Sequence, residues 1–499
     1  SLVDGRVIDI APGQELGFGG IEPALFFSEE GAGVFVLAKE KGNNSFANNQ
    51  GARIDGFTIT GADTGGGVVV NAYADFLSIS NNRIVNNSAF FAGGVRVGHA
   101  LLTTEKQNGE NPNAINYSDA DNDDVSVHHN TITQNGGLTG AGGGLALHNG
   151  SDNYQVTDNF VCGNFTNAAG AGIAHYGLSD NGLIEGNTVI FNENFNQGTT
   201  VNGGGILVAG LPAFGCPFGA DGQQAPACLA DQTQVTSPGS GSVQIIGNLI
   251  QGNSAGVGDG AGIRLSRING QDVAVKVTGG GNNRTVAVNV DWTIDVINNM
   301  IVDNVAALAG GGISLQDALD VNILHNTIAN NDNASVSGDA FTKGTPSQSN
   351  AQPGAGIVSR GHSAALLQFL NDAPLETFSN ANLVDNIIWQ NRKFYWLLDD
   401  VAIPAISGLC PDISGAAGLT CPAIPGDIPD PVTGAVYDDL AVIPAVGTLS
   451  CTDCILTGAV TEVHPGGLVA NSLTLSGTNL TYSGDIVVNG DLTVTAAST

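Results

Sequence analysis

"GGGISLQDALDVNILHNTIANN", residues 310–331, contains the arrangement on which the reading of this chain turns. Three glycines lead into Ile313, and two asparagines, Asn326 and Asn331, stand five residues apart. The apolar residues between them alternate at a period of two and are soon interrupted by Gly or Asn. That period belongs to short strands and not to helical turns.

The arrangement returns along most of the chain. The glycine element G-[GA]-G-[IVL], or a close variant, ends at Val68, Val95, Leu145, Ile173, Ile206, Ile263, Ile313 and Ile357. The asparagine element N-x-[IV]-x-x-N starts at Asn82, Asn130, Asn159, Asn187, Asn248, Asn299, Asn326 and Asn386. Each copy has an aliphatic residue three positions before the first asparagine and another two after it, as Ile132, Val161 and Val189 illustrate. The shortest repeats span 27 to 29 residues. Such periodicity signals a solenoid, and short strands make it a parallel β-helix with three strands per coil. The expected roles are then structural. Glycine provides backbone angles closed to other residues, aliphatics stack inside, and asparagine takes the left-handed conformation at corners and bonds to its stacked copies.

"IDGFTIT" at 54–60, "NIIWQN" at 386–391 and the paired glycine and asparagine elements resemble the right-handed parallel β-helix proteins of the pectin-lyase-like fold group. They also resemble the repeats of polymorphic outer-membrane proteins and other bacterial surface passengers. The resemblance covers roughly residues 50–400 and implies an all-β, right-handed parallel β-helix with long insertions and a C-terminal β extension. It implies no particular chemistry, because the architecture hosts lyases, hydrolases, epimerases and non-catalytic adhesins.

The expected organisation has four parts. Residues 1–52 are strands leading into or capping the solenoid, and 53–400 form the β-helix. Residues 401–454 are a Pro/Gly-rich, disulfide-stapled segment, and 455–499 a C-terminal strand module. Insertions interrupt the repeat near 99–123, 209–240, 266–292, 332–352 and 361–377. Loops entering at one corner project from one side, which is commonly the binding side.

Composition narrows the partners. Only 12% of residues are charged, yet the net charge is −31, which repels nucleic acid and anionic membrane alike. No apolar run is long enough to span a bilayer, and no signal peptide is visible. The first residues, from Ser1, read like mid-strand, as expected of part of a longer polypeptide. Seven cysteines point to an oxidising compartment, hence a secreted or cell-surface protein. Cys216 with Cys228 and Cys410 with Cys421 bracket Gly/Pro-rich loops as disulfides would. Cys451 and Cys454 form a third pair, a redox motif or half a metal site, and Cys162 is left over.

Candidate site residues cluster at one phase of the repeat. His99, His148, His175 and His362 follow the glycine-led strand, as do Arg267 and Arg360, while Arg96 and Arg264 lie within it facing outward. Arginine grips carboxylates with two parallel hydrogen bonds, so this strip suits a uronate-rich polysaccharide. Arg264, Arg267, Asp317 and His175 are the candidates for proton abstraction beside such a carboxylate. In "DADNDD", Asp119, Asp121 and Asp123 alternate as calcium ligands do, making Ca2+ the expected cation. Three functions follow from these readings. The first is an extracellular or cell-surface scaffold, adhesive or assembly subunit, with neighbouring subunits, surface proteins or a polysaccharide as partners. The second is a polysaccharide lyase or epimerase acting on acidic glycans, and the third a filament or sheath protomer.

Overall fold

The computed structural model describes residues 31–98, 120–210, 236–278, 285–370, 375–399, 405–411, 419–422, 429–430 and 434–457, apart from 41, 44 and 139, with strand segments between 468 and 496. Alternation along each strand sends one residue inward and the next outward. The inward residues of successive coils stack. Ile84, Ile132, Val161, Val189, Ile250, Ile301, Ile328 and Ile388 lie one above another in parallel register, each without solvent exposure. Burying each such side chain contributes about 1.5–3 kcal/mol, and no coil could bury its own without a neighbour.

The result is a parallel β-helix. Its first sheet has ten strands, from Val34–Val36 to Leu440–Ile443, and holds every glycine-led strand. The second runs from Arg53–Asp55 to Cys451–Thr452 and the third from Thr58–Thr60 to Ile455–Leu456. The coil also has a fourth strand absent from the three-strand expectation. It is only two residues long, as in Glu193–Asn194, and follows the second asparagine. Two residues are too few to show a period.

The solenoid also exceeds the expected 53–400. Val34–Val36 pairs with Val68–Val70 at one end, and Leu440–Ile443 continues the first sheet beyond Ile357–Arg360 at the other. Much of the expected loop segment 401–454 therefore belongs to the last coil, together with a hairpin of Tyr395–Asp399 and Ile406–Cys410. Farther on, Leu468–Ala470 and Leu473–Gly477 pair in parallel with Ile486–Val488 and Leu492–Ala496.

Two asparagine ladders hold the corners on either side of the third sheet. In the first, Asn82, Asn130, Asn159, Asn187, Asn248, Asn299, Asn326 and Asn386 are joined amide to amide at 3.0–3.1 Å. The side chain of Asn130 shows why asparagine is needed. Its Oδ1 accepts from the backbone N–H and the amide of Asn82, while its Nδ2 donates to Asn159 Oδ1 and the Ile79 carbonyl. All four capacities of the amide are used at a buried site. The left-handed backbone, expected at asparagine, belongs instead to the residue before it, such as His129, Asp158, Asn298 or His325. The ladder residue must keep ordinary angles to aim its amide inward.

The glycines divide two tasks. Gly310 has φ +63°, whereas Gly312 is needed for closeness: a Cβ there would lie 2.4 Å from the Gly356 carbonyl and 2.7 Å from Ile328 Cγ2. At the far end both ladders stop on a different residue. Cys454 occupies the asparagine position and accepts the Asn386 N–H through sulfur, bonded covalently to Cys451. Asp439 takes the last amide of the second ladder, Asn391 Nδ2, at 2.8 Å. Burial raises the Asp439 carboxyl to about 6.

Candidate functional site

Described insertion residues flank the first sheet, Asp339 and Gln352 before one of its strands and Arg267 and Ser363 after others, and its outer face forms the floor of a groove between them. Outward residues of successive first-sheet strands, Ala146, Ala174, Leu207, Arg264 and Ser314, stack along this floor. The larger part of the groove, about 420 Å³, is lined by Thr200, Asn202, Asp259, Gln316, Asp339 and Arg360 among others. A second part, about 270 Å³, carries Tyr176, Arg267, Asp317 and Ser363. Asn202, Arg264 and Gln316 border both, so the two parts adjoin.

Its electrostatic centre is Asp259, which sits just before the glycines of its coil and is buried. Arg360, two strands farther along the first sheet, donates to both carboxylate oxygens through Nε and Nη2. Arg264 Nη1 approaches the same carboxylate at 3.6 Å and also donates to Ser314 Oγ at 2.5 Å, while Nη2 donates to Gln316 Oε1 at 2.7 Å. Burial lowers the Arg264 guanidinium to about 10, which leaves it charged at neutral pH. Arg267 donates Nε to the Gly210 carbonyl at 2.9 Å. Asp317 accepts the Ser363 N–H at 2.7 Å and lies 3.6 Å from the ring of the buried His362. The groove therefore presents fixed guanidinium and amide donors next to carboxylates that already have partners. Such a surface grips an oxygen-rich ligand by hydrogen bonds.

Of the residues singled out from sequence, the structure places Arg264, Arg267, Asp317 and Arg360 in this groove and His362 behind Asp317. His175 and His148 lie elsewhere. His175 is not on the surface strip, because its strand, Ile173–Tyr176, keeps alternating and points it inward between Leu147 and Val208. There Nε2 donates to the Ser240 and Gly177 carbonyls, so Nδ1 is the nitrogen that accepts the Tyr154 hydroxyl at 2.9 Å. Burial lowers the His175 pKa to about 4. His148 is fully buried, edge-on to Tyr176, and burial with nearby Arg96 lowers it to about 3. Neither histidine meets a ligand at the surface. Arg96 is itself buried, over the Phe91 ring at 5.9 Å.

Of the proposed calcium triplet, Asp121 and Asp123 are described. Asp119, like His99 and the pair Cys216 and Cys228, lies outside the described residues. Asp123 belongs to a corner column, in which its carboxylate accepts the Asp152 N–H at 3.1 Å and Asp152 in turn accepts that of Asp180. Asp121 is exposed with φ +47°. Among the described residues no three His, Cys, Asp or Glu side chains are placed to share a metal ion. Cys410–Cys421 and Cys451–Cys454 are disulfides, so the second pair offers no thiolate to a metal while it is bonded, and Cys162 is free. No helix among the described residues is long and apolar enough to cross a membrane.

Sequence reasoning missed Asp259, yet a signal was present. The residue before the glycine element is Ala141, Ala169, Asn202, Ala309 or Pro353 in other coils, and a carboxylate there breaks the pattern.

No protein-family model and no curated protein matches this sequence. Among solved structures, the A-module of a mannuronan C-5 epimerase from Azotobacter vinelandii is similar over 76% of this chain and 87% of its own, at 12% identity and a TM-score of 0.30.

Proposed function

We propose that the protein is an extracellular or cell-surface scaffold whose stiff solenoid holds a uronate-bearing glycan in the groove over its first sheet. The supporting observation is the convergence of Arg264, Arg267 and Arg360 on one channel that follows the solenoid axis. In a chain with only 15 basic residues, the three guanidinium groups match the three carboxylates of the groove, Asp259, Asp317 and Asp339, and leave it locally neutral on a chain of charge −31. At physiological ionic strength charges farther than about 8 Å are screened, so the groove and not the distant acidic surface sets the contact energy. The two disulfides support placement outside the reducing cytosol.

Calorimetric titration of the full chain with uronate oligomers and with uncharged oligomers of equal length tests the reading. Binding should favour the uronates and weaken about tenfold or more in Arg267→Gln, the loss of one charge-assisted contact. Equal affinity for both glycans, or no effect of the substitution, would overturn it. Release of unsaturated uronate ends during the titration would instead assign the groove to a lyase.

A further inference from the structure

The outer face of the third sheet differs from the rest of this acidic surface. From Thr131–Thr133 to Ile455–Leu456, eight successive strands read TIT, FVC, TVI, LIQ, MIV, TIA, IIW and IL, without Asp, Glu, Lys or Arg. The middle residue of each three-residue strand belongs to the core, so the flanking ones look outward. Phe160, Met300, Ile387, Trp389 and Ile455 are 39–52% exposed, with Ile190, Leu249 and Val302 half-buried among them. The second sheet is no such surface, since Arg53, Asp55, His128, Glu185 and Asp295 lie on its strands. Polar groups line both long edges of the third-sheet face. His129 with Asp158 and His325 with Asp385 stand on one edge, and Gln251 bonded to Asp303 on the other.

We propose that this face docks a second copy of the chain. Two molecules of charge −31 repel one another, and burying unpaired carboxylates between them is costly, so close approach requires a face whose centre brings no charge and whose edge carboxylates stay at the solvated rim. Eight strands give seven spacings, and with five residues across, corner residues included, the face measures roughly 34 by 16 Å, so pairing two copies buries on the order of 1,100 Å², just above the lower limit for a specific interface. An apolar centre with polar edges is the anatomy of such interfaces. The stripe advances one strand per coil in parallel register, so a copy turned about a two-fold axis matches it in spacing. This inference does not depend on the groove, which lies over a different sheet.

The free Cys162, half-buried within the face between Thr133 and Ile190, supplies a probe. Sedimentation of the full chain across a wide concentration range should show a monomer–dimer equilibrium. Alkylation of Cys162, followed by mass spectrometry, should slow as the dimer forms. Met300→Asp and Trp389→Asp alter outward side chains, so thermal unfolding should be unchanged while dimerisation weakens by about 30-fold or more. Gln244→Asp, on the second sheet, should leave the equilibrium alone. A monomer at every concentration, or a dimer indifferent to both third-sheet substitutions, would overturn the proposal. Equal weakening by Gln244→Asp would do the same.

Discussion

Replacing Asn187 with alanine removes one rung from the middle of the first ladder. The Asn187 Oδ1 accepts the Asn159 N–H at 2.9 Å and the Asn159 amide at 3.0 Å, and its Nδ2 donates to the Val156 carbonyl at 2.8 Å and to Asn248 Oδ1 at 3.0 Å. Alanine leaves two buried donors of Asn159 without an acceptor. At about 1–3 kcal/mol for each orphaned group, partly relieved by relaxation, the loss comes to about 3–5 kcal/mol. Aspartate is the informative comparison. It keeps the acceptor but turns a second oxygen toward Val156 O and Asn248 Oδ1, so Asn187→Asp should cost at least as much. The second ladder can end on Asp439 because no further rung lies beyond it to accept a donated N–H: its two oxygens receive Asn391 Nδ2 and the Thr457 N–H. Equilibrium unfolding in guanidinium chloride gives the difference, and hydrogen exchange at the Asn159 amide locates it. If Asn187→Ala unfolds within about 1 kcal/mol of the parent, with Asn159 still protected, the ladder is not what holds these corners.

Two further outcomes follow from the same frame. His175 has a folded pKa of about 4 against an ordinary 6.5, so its neutral form is favoured by folding. Its share of stability is complete above pH 6.5 and is lost as pH falls toward 4, on the order of 3 kcal/mol; His175→Leu should flatten that slope in denaturation series at stepped pH. At the far end, Cys451 and Cys454 stand in register with Leu383 and Asn386. The double variant Cys451→Leu, Cys454→Asn should therefore keep residues 440–456 protected from hydrogen exchange under reducing conditions, where the parent loses protection.

The fold was legible because its period is written in residues with one physical meaning each. Ile132, Val161 and Val189 recur at fixed distances from an asparagine, and they stack as that distance requires. Strand extent was less legible. The alternation that carries Ile173 inward carries His175 inward too, but a histidine next to a turn reads as a surface residue until the strand is known to continue. The last coil was missed because Leu440–Ile443 has no glycine element before it. In the groove, Arg264 and Arg360 were visible as outliers of charge, but their joint partner Asp259 was not. Arg360 lies 101 residues away from it, and only the stacking of coils converts that separation into contact.

The two ladders are always five residues apart, and no insertion falls between them. Every excursion departs from the edges of the first sheet, where no continuous amide chain fixes the length. Variation is thereby channelled: descendants of this chain can lengthen by whole coils or elaborate the side bearing the groove, while the third sheet is copied almost as a template from one layer to the next. A lineage could thus exchange what it recognises without disturbing the frame that carries it.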